Sequence, residues 1–320
     1  MTIVIDSHIP FFVEAVRREW PQIDIYPIKP DEIDAESVRK ADVLVIRTRT
    51  RVNEDLLHGS KVQLVCTATI GYDHIDTAYC ESHGIQWISC PGCNAQAVCD
   101  YIEEAINESP VIKAPSPATI GVVGVGHVGA LVADMAARKG MQVLLNDPPK
   151  KIGVSLDEIA RKCDIITFHV PLVHPSPTAI HTTWHLCDEH FLERCKPGAM
   201  IINAARGGVV DEQALMRSGH PFILDTWENE PKIDEAVLTK AWRASMHIAG
   251  YSVEGKRNAS QMCLDAIAER FDLPKITPDP TSVNLSTAGD SAPGWLSRIS
   301  TLLKAQPDQF ESLRKNYHLR

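Results

Sequence analysis

Nowhere in the 320 residues do 18 apolar residues run together, and Asp6 and Pro10 stand where a basic leader and a continuous apolar segment would be needed. A membrane span and a secretory leader are therefore not expected, and the cytoplasm is the expected location. Basic charge is also scarce. Against 41 Asp plus Glu there are 32 Lys plus Arg, the formal net charge is -9, and no long basic block is present to meet nucleic-acid phosphates. A nucleic-acid or membrane partner is thus not expected.

Cysteine is sparse and scattered. The nine residues, an odd number spread from Cys66 to Cys263, argue for reduced thiols rather than a disulfide framework. Cys90-Pro-Gly-Cys93 has the CxxC spacing of redox and metal pairs, but no second knuckle completes a tetrahedral site, so no metal is expected. Repeats of solenoid period and low-complexity tracts are missing as well, which excludes repeat architectures.

What is present is an alternation of short apolar runs with helical patterns, on a chain long enough for about two domains. TIVID at 2–6, ADVLVI at 41–46 and the run from Val62 to Thr67 read as buried strands, with FFVEAVRREW between the first two spaced as a helix. From Thr119 the alternation resumes: TIGVVG, MQVLLNDPP, CDIITFHV, AMIINAA and PFILDTW are strand candidates. The expected class is α/β, with two Rossmann-like parallel-sheet domains. Residues 1–94, with a helical return at about 256–273, form one domain; residues 95–255 are inserted as the second; 274–320 form a C-terminal segment.

The sequence Gly124-Val125-Gly126-His127-Val128-Gly129 matches GxGxxG and sits between a predicted strand and a predicted helix. Its three glycines suit a tight turn, close approach of a pyrophosphate and helix-to-strand packing, so dinucleotide binding is expected. Asp147 ends the next strand, 18 residues beyond Gly129, where an acid can accept both ribose hydroxyls. Its charge opposes an added 2'-phosphate, and Pro148 and Pro149 supply no cation, so NAD is expected over NADP. Asp225, at the end of PFILD, is placed for the nicotinamide carboxamide.

Three further residues suit hydride transfer. Arg206 follows an apolar strand, Glu230 stands at a turn in LDTWENEP, and His247 lies near another strand end in SMHIAGYSVEG. A guanidinium can clamp a substrate carboxylate, an imidazole can exchange an alcohol proton, and a carboxylate can orient the charged imidazole.

On GVVGVGHVG, NAARGGVVDE, ENEP and HIAG, the chain resembles the D-isomer-specific 2-hydroxyacid dehydrogenase family over roughly residues 2 to 271. CTATIGYDHID, CPGCNAQAV, LDTWENEP and HIAGYSVEGK resemble most the branch acting on erythronate 4-phosphate. The resemblance implies an interdomain cleft and NAD-dependent oxidation of 4-phospho-D-erythronate to 2-oxo-3-hydroxy-4-phosphobutanoate, a step of pyridoxine 5'-phosphate (vitamin B6) biosynthesis. It also implies a homodimer, with 274–320 as an abbreviated dimerisation segment. By the same resemblance, Arg206, Glu230 and His247 are catalytic. Thr48, Thr67, Arg206 and Tyr251 contact substrate, and Arg47 is an additional phosphate candidate. Thr167, Ala205, Asp225 and Gly250 join Asp147 and the glycine turn at the cofactor. Met246 departs from the pattern, standing where close relatives have Pro. The alternatives are a dehydrogenase for glycerate or a related small hydroxy acid, and a dinucleotide-binding regulatory protein without turnover.

Overall fold

The computed structural model describes residues 1–113, 117–281, 292–317 and 319. Among the described residues the backbone forms two compact units, one of residues 1–94 and 252–281, the other of residues 95–251 and those from 292 onward.

The first unit holds strands β1 (Thr2–Asp6), β2 (Asp24–Ile28), β3 (Val43–Ile46), β4 (Leu64–Thr67) and β5 (Gln86–Ile88), all parallel in the order β2-β1-β3-β4-β5. All four residues of β3 and of β4 are buried, as a strand covered on both faces requires. The edge strand β2, DIYPI, has no buried residue and was not foreseen. It carries no apolar run to see, and its Pro27 is tolerated because an edge strand can lack a ladder donor. The helix Val253–Phe271 completes this unit, burying Ala259, Cys263, Leu264, Ile267 and Ala268. Ser252 caps this helix, which starts a little ahead of the expected return at about 256, by accepting the Gly255 N–H at 2.9 Å.

The second unit holds β6 (Thr119–Val123), β7 (Gln142–Asp147), β8 (Ile152–Gly153), β9 (Ile165–Phe168), β10 (Met200–Asn203), β11 (Phe222–Leu224) and β12 (Arg243–Ala244). Their order is β12-β11-β10-β9-β6-β7-β8, parallel except for the β7-β8 pair. The two-residue strands β8 and β12 are too short for any periodicity to announce. The C-terminal segment is also not a separate extension throughout. Helix Trp295–Ala305 buries Trp295, Leu296, Ile299 and Leu303 in the core of this unit, with Trp295 edge-on to Tyr101 at 5.7 Å. Its apolar stripe finds the nearest uncovered core surface beside β12, where Ser300 Oγ accepts the Ala244 N–H at 3.1 Å. Among the described residues, no helix is long and apolar enough to cross a membrane.

Candidate active site

In the second sheet the chain order reverses beside β6, which has β7 on one side and β9 on the other. Loops leaving the carboxyl ends of such strands part in opposite directions and leave a crevice for ligands. Gly124 leaves β6 at φ +90, and a Cβ there would stand 2.6 Å from the His169 carbonyl oxygen. A Cβ on Gly129 would strike the Gly124 carbonyl oxygen at 1.9 Å, so this glycine allows the helix His127–Arg138 to pack on the strand. Gly126 caps that helix, and a Cβ there would meet nothing within 4 Å. Its missing side chain therefore serves no internal packing; it leaves open space before the amide donors of the helix start, where His127 is exposed and Val128 half-buried. These residues fit a dinucleotide.

Asp147 ends β7 beside the same turn. Its Oδ2 accepts the Val125 N–H at 2.8 Å and its Oδ1 the Lys150 N–H at 3.3 Å. Pro148 and Pro149 supply no cation here, but Lys150 Nζ, one residue on, donates to the Val125 carbonyl at 2.7 Å. Only the short 3-10 turn Pro148–Lys150 brings that ammonium back over the loop. Thr167, in β9, is fully buried, and its hydroxyl lies 3.0 Å from His169 Nε2. Burial drives His169 down to about 3, so the ring is neutral.

Arg206, Glu230 and His247 meet at one cavity of about 270 Å³, lined also by Trp184, Gly207, Gly208, Trp227, Glu228 and Asn229. Glu230 Oε2 lies 2.8 Å from His247 Nδ1, while its Oε1 accepts the Trp227 N–H at 2.9 Å. Each carboxylate oxygen thus has one partner, and this arrangement leaves the other ring nitrogen of His247 able to exchange a proton. Arg206 is exposed and sits on a loop organised by buried Asn203, which donates to the Arg206 carbonyl at 2.9 Å and accepts the Ala205 N–H at 3.1 Å. The Ala205 carbonyl accepts from Arg206 Nη1 at 2.8 Å.

Asp225, expected at the nicotinamide carboxamide, lies under the loop that carries His247. It is 1% exposed, and its carboxylate receives Ser245 Oγ at 2.6 Å, the Ile248 N–H at 2.8 Å and the Ala249 N–H at 3.0 Å. Its carbonyl accepts the His247 N–H at 2.8 Å. These bonds clamp a loop in which His247 adopts φ +58, a left-handed conformation that a residue with a side chain resists. Met246 is 1% exposed in the core of this unit, an apolar anchor before that turn.

Half-buried Gly250 and Tyr251 follow on the same loop. The Tyr251 hydroxyl accepts from Arg314 Nε at 3.1 Å. Burial disfavours the charge on Arg314, but Tyr251 and the carboxylates of Glu311 and Glu230 outweigh it and raise the guanidinium above its ordinary value. Arg314 was not foreseen, since its partner lies 63 residues away. In the first unit, Thr67 ends β4 fully buried, its hydroxyl 2.7 Å from Thr69 Oγ1 and 3.0 Å from His74 Nε2. Thr48 is exposed in the turn after β3. Arg47 precedes it, but its Nε and Nη2 bond both carboxylate oxygens of fully buried Asp6, at 2.8 and 3.2 Å. That pairing accounts for much of the guanidinium's donor capacity.

The NAD binding domain of the D-isomer specific 2-hydroxyacid dehydrogenases matches residues 100–257. Along its whole length the chain is 43% identical to an erythronate-4-phosphate dehydrogenase of Bacteroides fragilis, covering 97% of that protein. The chain belongs to the erythronate-4-phosphate dehydrogenase family. Membership makes it an NAD-dependent oxidoreductase of the D-2-hydroxyacid dehydrogenase type, acting on a hydroxy acid with NAD(P). The fold agrees with solved structures of more distant sequence. An NAD+-bound 3-phosphoglycerate dehydrogenase of Entamoeba histolytica is 24% identical with a TM-score of 0.68, over 85% of this chain and 95% of that one. An NADPH-dependent glyoxylate/hydroxypyruvate reductase of Sinorhizobium meliloti is 20% identical with a TM-score of 0.71, over 88% of this chain and 98% of that one.

Proposed function

We propose that this family member oxidises 4-phospho-D-erythronate at C2 to 2-oxo-3-hydroxy-4-phosphobutanoate, with NAD rather than NADP, as a cytoplasmic homodimer in vitamin B6 biosynthesis. The observation that carries the reading is the 43% identity to an erythronate-4-phosphate dehydrogenase along the whole chain. The meeting of Arg206, Glu230 and His247 at one cavity supports the chemistry.

NAD, when bound, supplies the acceptor for the C2 hydride. The chain's residues handle the rest. Arg206 pairs with the substrate carboxylate through two N–H donors and holds C2 in place. His247 takes the C2 hydroxyl proton on Nε2 as the C2–H bond breaks and the carbonyl forms, and Glu230 holds Nδ1–H and stabilises the imidazolium. Products are the 2-oxo acid and NADH, with the proton passing from His247 to water. Asp147 accepts the adenosine ribose hydroxyls, and Thr167, Ala205, Asp225 and Gly250 border the cofactor. Thr48, Thr67 and Tyr251 contact substrate, with Arg47 as an additional phosphate ligand.

The test is the initial rate of NADH formation with 4-phospho-D-erythronate, D-glycerate and no acid. Turnover dependent on the phosphorylated acid is expected. Equal or better turnover of glycerate would move the substrate to a small unphosphorylated acid, and cofactor binding without any turnover would leave a regulatory role.

A further inference from the structure

The turn that carries Glu230 is tied down from behind. Glu212, the first residue of the helix Glu212–Ser218, is 5% exposed, and its Oε1 accepts the Glu228 N–H at 2.6 Å. The tie is returned: Glu228 Oε1 accepts the Glu212 N–H at 3.5 Å and also lies 3.0 Å from His185 Nε2. One residue before Glu228, the Trp227 N–H is held by Glu230 itself, and Trp227 Nε1 donates to the Ser245 carbonyl at 2.8 Å. The four-residue turn 227–230 is thus fixed at Trp227 from the β12 side and at Glu228 from Glu212. Little freedom remains for Glu230 except the direction that meets His247.

We propose that Glu212 is a positioning residue for the reaction, fixing the 227–230 turn through the Glu228 N–H so that Glu230 is aimed at His247. The inference rests on the reading of Glu230 and His247 as the proton-handling pair. Burial pushes Glu212 up to about 8, against the Glu228 N–H bond, which draws it down, and with the neighbouring charges of Glu228, Asp234 and Glu230 adding to the rise, so the uncharged acid is favoured at neutral pH. In that state it accepts the Glu228 N–H through its carbonyl oxygen without adding a buried charge. An amide of the same shape can do the same, whereas an apolar chain of the same length cannot.

This logic sets the variants: Glu212→Gln keeps the acceptor and Glu212→Met removes it while suiting the buried position. The first readout is independent of any substrate: the downfield proton of the Glu230–His247 hydrogen bond, observed by NMR of the full chain with labelled histidine and assigned by its loss in Glu230→Gln. We expect the signal to persist in Glu212→Gln and to vanish or broaden in Glu212→Met. The second readout is turnover, where Glu212→Met lowers kcat roughly 10- to 100-fold, the scale of a displaced catalytic group, with KM for NAD unchanged, and Glu212→Gln restores it. An unchanged signal in Glu212→Met, or equal losses in both variants, would overturn the proposal. If Glu212→Met does not fold, loss of the signal in well-folded Glu212→Gln overturns it and its persistence there supports it. Should no hydroxy acid be turned over, the functional reading fails while the NMR signal still decides the role of Glu212.

Discussion

Glu230 stands with Oε2 2.8 Å from His247 Nδ1, and its other oxygen holds the Trp227 N–H. The carboxylate therefore sets both the direction and the tautomer of the ring. Replacing Glu230 with Gln is expected to lower kcat about 100-fold or more while leaving NAD binding intact, because general-acid–base assistance of that order is lost when the imidazole is misoriented. Steady-state kinetics and calorimetric NAD titration of the variant provide the check; wild-type kcat would remove Glu230 from the reaction.

The Asp225 clamp makes a separable prediction. Three donors point at its carboxylate, and the amide nitrogen of Asn cannot accept any of them. Asp225→Asn should cost about 2 kcal/mol or more of unfolding free energy, through a buried donor left unsatisfied. Urea unfolding measures it. Unaltered stability together with weakened NADH binding would assign the carboxylate to the cofactor instead of the His247 loop.

Gly126 and Gly129 should respond differently to the same change. Gly129→Ala is expected to disrupt folding of the second unit, since the new methyl would meet the Gly124 carbonyl oxygen at 1.9 Å. Gly126→Ala meets no protein atom within 4 Å. It should melt like the parent but lose at least tenfold in NAD affinity, a loss of about 1.4 kcal/mol, if the pyrophosphate fills that space. Wild-type affinity in Gly126→Ala would place the phosphates elsewhere.

Cofactor choice is expected to turn on Asp147. With Lys150 Nζ already at the Val125 carbonyl, Asp147→Ser removes the charge that repels a 2'-phosphate and leaves a cation close by. The NADP-to-NAD ratio of kcat/KM should rise about tenfold or more. An unchanged ratio would show that other groups discriminate.

Acid lability should have a source at His169. The folded ring takes a proton only below about 3, whereas an unfolded histidine does so near 6.5. Between those values the unfolded chain holds more protons, so this contribution to stability is complete above about 6.5 and declines as pH falls toward about 3. His169→Gln should flatten that part of the stability-versus-pH curve in urea unfolding at pH 4 and pH 7. A variant that tracks the parent at both would exclude His169 as the source.

Much of this protein was determined by the sequence alone. Runs such as VLVI and IITF state buried parallel strands without help from neighbours, because a strand covered on both faces must be apolar throughout. The glycine turn is legible as a motif, although only Gly129 answers a contact a few residues away, at the Gly124 carbonyl, while the atom that Gly124 clears belongs to distant His169. Family motifs carried Arg206, Glu230 and His247, and the second unit brings them to one cavity.

What only the tertiary structure decided are relationships between residues distant in sequence that no local pattern encodes. Asp225 reads as a strand-end acid, and only the fold turns its carboxylate onto backbone donors more than 20 residues further along. Glu212 reads as a helix-start residue until the turn at Glu228 arrives against it. Arg47 reads as a free cation until β1 delivers Asp6 beside it. Periodicity and composition report which face of an element is buried; they say nothing of which polar partner waits there, because a hydrogen bond depends on positions set by the whole chain.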